Sequence, residues 1–299
     1  MPDLLTITLN PALDLSSATD RVLPGPKLRL DTPVEEPGGG GINVARAAAK
    51  LGGQPRAIAA LGGMTGARIA ALLQGAGVAL VPFALPGETR QSLAVTDRHD
   101  GAQYRLQLPG PTWDEALATA LLALAAQEAA QIGPDAVVVL SGSQPPGLPD
   151  DYAQTLAARL GPQARLIVDT SGAALRQLVQ APQPGARPAV LRMDRLESES
   201  LAGHPLPDIA ASLGFAAALV ERGAAGCVVL ARGAEGSVLA APGLRLHCAP
   251  PPVPVASATL RFEAGQDEAL IQMNRWGGQP LPVSATAWWD GALVVRLSG

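Results

Sequence analysis

The sequence predicts an α/β domain with a mostly parallel central sheet and a small antiparallel lid. Three observations lead to this prediction. Short runs rich in Val, Ile and Leu alternate with longer Ala- and Leu-rich runs. The short runs are apolar on both sides, as strands covered by helices on both faces require. No linker, charge block or internal repeat divides the 299 residues, so one domain over residues 1–299 is expected.

The short apolar runs are the predicted strands and the Ala- and Leu-rich runs the predicted helices. Strands are expected at residues 4–9, 136–140, 165–168, 189–193 and 226–230. Helices are expected at residues 42–51, 68–74, 114–130, 152–160, 172–179 and 207–222. Because strands and helices alternate, the sheet should be parallel with right-handed crossovers.

The lid is predicted from two segments that break this alternation, residues 15–32 and 91–108. Both show apolar and polar residues in turn, as in Ser92-Leu93-Ala94-Val95-Thr96. Such half-exposed strands indicate a small antiparallel sheet over one edge of the domain, serving as a substrate lid or a dimer surface.

Composition excludes several classes of function. The chain has 22 Lys and Arg against 26 Asp and Glu, and 3% aromatic residues. A slightly acidic protein with few aromatics is not expected to bind nucleic acid. Two cysteines cannot form a disulfide framework or a zinc site of their own. Without a signal-like start or a long apolar run, a cytoplasmic protein without membrane contact is expected.

The strongest local signal is the run of four glycines at residues 38–41, directly before the predicted helix 42–51. Glycines let the helix N–H groups approach a ligand closely, and the amide of Asn43 in the first turn suits a hydroxyl group. A flexible turn before an ordinary helix explains the glycines equally well.

Polar or Gly-rich turns follow the first strand and four others, and they favour a ligand site. Asp14 comes after the first strand, and the other turns are residues 36–41, 141–147, 169–172 and 232–236. Each turn alone is typical of an ordinary connection. Together they converge on the carboxyl edge of the sheet, where α/β proteins bind ligands.

These segments resemble the ribokinase-like (PfkB-type) carbohydrate kinases. The resemblance rests on residues 8–14, 36–47, 89–91, 103–105, 109–110, 141–143, 168–172 and 250–253. It implies a three-layer ribokinase-like sandwich. The run of four glycines is similar to that of the 6-phosphofructokinase branch of the family, which in bacteria is the minor isozyme. The related 1-phosphofructokinases usually carry a Lys among these glycines.

The resemblance also implies roles for individual residues. The sugar hydroxyls would be held by Asp14, Gly38, Gly39 and Asn43, and the sugar and its phosphate by Arg90 and Ser141. Arg192, Asp194 and Glu197 match a Lys-Pro-Asn-x-x-Glu motif in which only the Glu is retained; Glu197 would act on magnesium-bound water. Gly233 and Gly236 match a turn against the adenine or ribose. ATP and Mg²⁺ are therefore the implied cofactors.

The chain departs from the family pattern where the catalytic motif should stand. The family's Gly-Ala-Gly-Asp supplies an anion hole and a base, and neither follows Pro252-Val253 here. An ungapped alignment leaves Glu263 as the carboxylate. A gapped alignment, which fits better, has lost about a dozen residues, enough for the loop and two helical turns. Asp267 only superficially echoes the motif, and residues 259–299 form a divergent end.

The implied activity is transfer of the ATP γ-phosphoryl group to fructose 6-phosphate, at a very low rate because the catalytic motif is absent. Fructose 1-phosphate or tagatose 6-phosphate is an alternative acceptor. A non-catalytic sugar-phosphate-binding protein and a gene lesion or reading error near Ala258 also stay open. The lid strands suggest a homodimer, in which Lys27 and Arg29 of the lid add charge near the phosphate, or else simply face solvent.

Overall fold

The computed structural model describes residues 4–134 and 136–249, and two further paired strands. The strands are β1 (Leu4–Thr8), β2 (Ala12–Thr19), β3 (Val34–Gly38), β4 (Arg56–Leu61), β5 (Ala79–Ala84), β6 (Arg90–Asp97), β7 (Gln103–Gln107), β8 (Val137–Ser141), β9 (Arg165–Asp169), β10 (Val190–Asp194), β11 (Cys227–Ala231), β12 (Ser237–Ala241), β13 (Leu244–Cys248), β14 (Ala287–Trp289) and β15 (Ala292–Val295). The helices are α1 (Gly40–Lys50), α2 (Gly63–Gln74), α3 (Glu115–Ile132), α4 (Tyr152–Leu160), α5 (Gly172–Gln180), α6 (Arg195–Ala202) and α7 (Ile209–Glu221).

A nine-stranded sheet forms the centre of the molecule, in the order β13-β12-β11-β10-β9-β8-β1-β4-β5. From β11 to β5 neighbouring strands run parallel, and β12 and β13 extend one edge antiparallel. Helices α3, α4, α5 and α7 pack on one face, while α1 and α2 pack on the other. This three-layer arrangement confirms the predicted fold class.

The central strands hold the layers together because they are apolar towards both faces. Leu5, Ile7 and Ile58 are fully buried among side chains of the α3 layer. Ala59 of β4 points the other way and packs with Ile42 of α1. Burying a large apolar side chain such as Leu5 or Ile7 contributes about 1.5–3 kcal/mol to the stability of the fold. The carboxyl ends of these strands therefore stand on a rigid base.

The lid is a four-stranded sheet in the order β3-β2-β6-β7. Both outer pairs are antiparallel, whereas the central pair, β2 with β6, is parallel. The predicted strand over residues 15–32 starts earlier, at Ala12, and ends at Thr19. Residues 20–33 leave the sheet because they include three prolines, which cannot donate to a ladder.

Several elements differ from the sequence prediction. The unpredicted ones are β3, β4, β5, α6, β12, β13, β14 and β15. Helix α2 begins five residues earlier than predicted, at Gly63. The predicted carboxylates Glu263 and Asp267 lie outside the described residues. Within the described part of the chain, no helix has the length and apolar character needed to cross a membrane.

Candidate active site

The carboxyl ends of β1 and β8, the start of α1 and the root of the lid meet in one place. Arg90 of the lid donates from Nε to the backbone oxygen of Asn10, which follows β1, at 3.2 Å. The Asn10 side-chain amide donates in turn to Ser143 Oγ, after β8, at 3.3 Å. These bonds join elements far apart in sequence, so the site depends on the assembled fold.

The glycine run allows this close approach. Gly39 precedes the first residue of α1 and has φ of 121°, in the region that favours glycine. At Gly40 a Cβ atom would collide with Ser141 Oγ. The helix therefore begins directly against the end of β8, and Asn43 lies in its first turn, its N–H bonded to Gly39 O at 2.9 Å. Gly38 ends β3 opposite Ala12.

Asp14 lies on the face of the lid that also carries Arg90. The parallel register pairs Ala12 with Arg90 and Asp14 with Ser92, so both charged side chains point to one side of the sheet. Burial raises the pKa of the Asp14 carboxyl to about 6, against the opposing effect of Arg90. A partly desolvated carboxylate that still ionises near neutral pH is a strong acceptor for hydroxyl groups.

The segment before Arg90 is fixed to the start of α2. The buried hydroxyl of Thr89 accepts a hydrogen bond from Gly62 N at 2.8 Å. The Glu88 carboxylate accepts from Met64 N at 3.0 Å and from Thr65 N at 3.1 Å. These backbone bonds lower the pKa of Glu88. The position of Arg90 at the site is thus fixed by the hydrogen bonds between the preceding residues and the start of α2.

A buried carboxylate, Asp169, connects the sugar-side and nucleotide-side candidates. Ser141 Oγ donates to Asp169 Oδ2 at 3.2 Å, and Arg192 Nη1 donates to Asp169 Oδ1 at 3.3 Å. Burial raises the pKa of Asp169, opposed first by the charge of Arg192. The Asp169 side chain is only 13% exposed, so its charge depends on these partners.

Asp194 caps the start of α6, and Glu197 lies in the first turn of that helix. The Asp194 carboxylate accepts from Glu197 N, and Glu197 Oε2 accepts from Asp194 N, both at 2.8 Å. This reciprocal capping box fixes both carboxylates at the end of β10. Burial raises the pKa of Glu197. The next strand in the sheet, β11, ends beside Asp194, which pairs with Ala231.

The tight turn after β11 carries Gly233 and Gly236. Residues Gly233–Glu235 form a single helical turn, with φ of 60° at Gly233 and 91° at Gly236. At Gly236 a Cβ would strike the backbone oxygen of Cys248. This turn stands on the same sheet edge as Asp194, two strands from the end of β9.

The structure therefore places the predicted residues in two neighbouring groups. Asp14, Gly38, Gly39, Asn43, Arg90 and Ser141 lie where the lid meets α1 and β8, and Arg192, Asp194, Glu197, Gly233 and Gly236 lie on β10, α6 and the turn after β11. Sequence reasoning gave no role to Asp169 or Arg105. Arg105 faces the same side as Arg90, through Ala94, and its charge favours ionised Asp14. Strand alternation in Gln103-Tyr104-Arg105 was the available signal.

Oxygen donors are present for a magnesium ion, although the described residues contain no cluster of three or more metal-ligating side chains. Mg²⁺ is commonly held by one or two carboxylates together with waters and substrate phosphates. Asp194 and Glu197 offer such a carboxylate pair. The donor set therefore fits an ion that arrives with a nucleotide.

Comparisons with known proteins identify the family of the chain. The pfkB family carbohydrate kinase model matches residues 7–259. The ATP-dependent 6-phosphofructokinase isozyme 2 of Mycobacterium tuberculosis is 37% identical over 240 residues, 80% of this chain and 68% of that protein. The isozyme 2 of Escherichia coli is 32% identical, over 93% of this chain and 90% of its own. The 1-phosphofructokinase of Xanthomonas campestris is 36% identical, over 83% and 76%.

Solved structures give the same assignment. Phosphofructokinase-2 from Escherichia coli, in complex with fructose-6-phosphate, superimposes with a TM-score of 0.77 at 34% identity, over 86% of this chain and 82% of that one. The tetrameric inhibited form of that enzyme superimposes with a TM-score of 0.76. The chain belongs to the PfkB family of carbohydrate kinases.

Proposed function

We propose that this chain binds fructose 6-phosphate and ATP as a 6-phosphofructokinase-type kinase, with very low turnover. The observation that carries the proposal is the charged face of the lid, where Asp14 and Arg90 lie on one side of the sheet at the start of α1. A carboxylate beside helix N–H groups suits a polyol, and Arg side chains suit a phosphomonoester.

On the sugar side, each chemical group of the substrate has a counterpart. Asp14 would accept hydrogen bonds from hydroxyl groups, and Asn43 together with the N–H groups after Gly39 would complete the polyol site. Arg90 and Arg105 face the same region and supply positive charge for the phosphate. Ser141, held by Asp169, would contact the sugar from the sheet edge.

On the nucleotide side, Arg192 would contact the phosphates. Asp194 and Glu197 would hold Mg²⁺ through its waters, and the ion supplies charge neutralisation on the transferring phosphoryl group. Gly233 and Gly236 would let the adenosine approach the turn after β11. Asp169 accepts from both Ser141 and Arg192, so it would keep the two half-sites in a fixed relation.

Low turnover is proposed from the sequence after Pro252-Val253, which lacks Gly-Ala-Gly-Asp. Loss of a general base typically costs about 10²–10⁴-fold in rate, and loss of an anion-hole donor about 10²–10³-fold. A non-catalytic sugar-phosphate-binding protein is therefore the second candidate function.

The test separates binding from turnover. Calorimetric titration of the full chain with fructose 6-phosphate and, separately, with ATP and Mg²⁺ should show binding of both. A coupled assay should show turnover far below the enzyme median of about 10 s⁻¹. Turnover at that median would contradict the proposed impairment, and absence of sugar-phosphate binding would contradict the proposed function.

The acceptor is tested with a panel of fructose 6-phosphate, fructose 1-phosphate and tagatose 6-phosphate. The four consecutive glycines at residues 38–41 favour the first, and the similarity to a 1-phosphofructokinase motivates the second. Tightest binding of fructose 6-phosphate is expected. Preference for another sugar would reassign the substrate.

We also propose that the chain is a single kinase domain that acts in the cytoplasm. We propose further that two copies of the chain associate through the lid. The lid face opposite Asp14 carries Leu93, Tyr104 and Leu106, which the register aligns across β6 and β7. Leu106 is 58% exposed. An apolar sheet face of this kind is typical of a protein interface, and the Escherichia coli relative has a tetrameric inhibited form.

A further inference from the structure

Arg232, the first residue after β11, is buried in a way that few charged residues are. Its side chain is 1% exposed, and Arg is rarely fully buried unless it is paired. It immediately precedes the turn that carries Gly233 and Gly236. Neither the family resemblance nor the proposed contacts assign it a role.

The guanidinium uses all of its N–H groups within the protein. Nε donates to Glu235 Oε2 at 2.8 Å, and Nη2 lies 2.6 Å from the same oxygen. Nη1 donates to Leu206 O at 2.9 Å and to Ser212 Oγ, and Nη2 also donates to Pro207 O at 3.2 Å. Because no donor is left, Arg232 does not contact a ligand itself.

These bonds join three pieces of chain at the nucleotide-side edge. Glu235 belongs to the turn after β11, Leu206 and Pro207 belong to the connection between α6 and α7, and Ser212 lies in the first turn of α7. The connection is tied back to α6, because Leu206 N donates to Glu199 Oε1 at 3.1 Å. The network thus links the turn of Gly233 to α6, the helix whose first turn contains Glu197.

The turn has only one other side-chain anchor among the bonds described. His247 of β13 bonds through Nε2 to Glu235 O at 2.8 Å, but His247 is exposed. Glu235 itself is 51% exposed. The ends of the turn are fixed by the pairing of β11 with β12, and the buried fork of Arg232 is the main side-chain anchor among the bonds described.

We propose that Arg232 is a positioning residue for the nucleotide, which holds the Gly233–Gly236 turn at a fixed distance from α6 and Glu197. The inference rests on the proposed binding of ATP at this edge. Among the bonds described, none joins Arg232 or its partners to the sugar half-site, so the sugar-phosphate affinity is expected not to depend on Arg232.

The test compares Arg232→Met with the wild-type chain by separate titrations of ATP with Mg²⁺ and of fructose 6-phosphate. The variant should weaken ATP binding by at least about tenfold, or about 1.4 kcal/mol, and leave the sugar-phosphate affinity unchanged. Arg232→Lys, which keeps the charge but not the planar fork, should fall between the two. Arg222→Met is the matched control, since Arg222 lies at the opposite end of α7 and donates only to Val179 O among the bonds described.

Two further measurements keep the inference falsifiable. Hydrogen exchange should show faster exchange in residues 203–208 and 233–236 of Arg232→Met, with or without ligand. If that variant does not fold, Ser212→Ala should show the same split between ligands to a smaller degree. Unchanged ATP affinity, or an equal loss for both ligands, would overturn the inference. If the wild-type chain binds fructose 6-phosphate but no ATP, the proposed nucleotide function fails first, and the inference with it.

Discussion

Burial of the Asp14 side chain makes its ionised form costly to the stability of the folded protein. Its pKa is raised from 3.8 to about 6 by burial, so the folded protein favours the protonated form. The associated stability is fully present below pH 3.8 and is lost as the pH rises through about 6. Such a cost is typical of a residue kept for function.

Asp14→Asn should therefore change stability and binding in opposite directions. At pH 7 the variant should have a higher free energy of unfolding than wild type, and the gain should vanish near pH 4. Its affinity for fructose 6-phosphate at pH 7 should be about 10–100-fold lower, because a hydrogen bond to a charged group is lost. Urea unfolding and calorimetry between pH 4 and pH 8 measure both quantities.

The phosphate group of fructose 6-phosphate also titrates near pH 6, and the Asp14→Asn variant separates this effect from the titration of Asp14. In Asp14→Asn only the ligand titrates, and the difference between the two pH profiles isolates the carboxylate. Equal binding by the two proteins at pH 7 would show that Asp14 makes no contact with the sugar.

At single residues, the sequence was most informative where a strand ends. Ser141 and Asp169 were predicted to lie at the carboxyl edge of the central sheet, and the structure places them there. Asp14 was also predicted at that edge, but it lies on lid strand β2. The bridging position of Asp169 could not be predicted, because it depends on the distance between β8 and β10. The network of Arg232 is equally invisible, since its partners come from three separate segments.

At the scale of helices and strands, the contact between the β5–β6 connection and α2 leads to a prediction about Thr89. Thr89→Val keeps the shape of the side chain but leaves the buried Gly62 N–H without its acceptor. The expected cost is about 1–3 kcal/mol of stability, together with weaker sugar-phosphate binding, because Arg90 is the next residue.

Thr89→Ser is the matched control, since it keeps the hydroxyl. Its stability, measured by thermal unfolding, and its sugar-phosphate affinity, measured by calorimetry, should both be close to those of wild type. If Thr89→Val and Thr89→Ser lose the same stability, packing of the methyl group matters more than the hydrogen bond, and the role assigned to Thr89 is wrong.

The failure to predict some helices and strands from the sequence has identifiable physical reasons. Strand β4 is rich in alanine, and β5 contains Pro82, which is tolerated because β5 is an edge strand. Helix α6 is short and polar, without a clear apolar period. Its capping box, Asp194 with Glu197, was a usable signal of a helix start. The strongly apolar β8 was predicted within one residue at each end.

For the whole molecule, the proposed lid interface predicts an oligomer that one surface charge disrupts. Leu106→Asp places a carboxylate on the apolar lid face and should shift the chain from dimer, or a higher assembly, to monomer at micromolar concentration. Burying an unpaired charge costs several kcal/mol, enough to raise the dissociation constant more than about tenfold. Sedimentation velocity measures the change.

Gln107→Asp provides the control, because Gln107 neighbours Leu106 but faces the opposite side of the sheet. It adds the same charge and should leave the assembly intact. A wild-type chain that sediments as a monomer, or a Leu106→Asp variant that keeps the wild-type mass, would contradict the interface.

The parallel pairing of β2 with β6 has a consequence for how the protein folds. Asn10 and Arg90, which bond at the lid root, are separated by 80 residues of sequence. The chain between them forms α1, β4, α2 and β5, so the lid sheet can close only after that part of the core has assembled. Long-range pairing of this kind is slow. The charged face of the lid is therefore expected to be a late product of folding, and a nascent chain must emerge well beyond β6 before it can recognise a sugar phosphate.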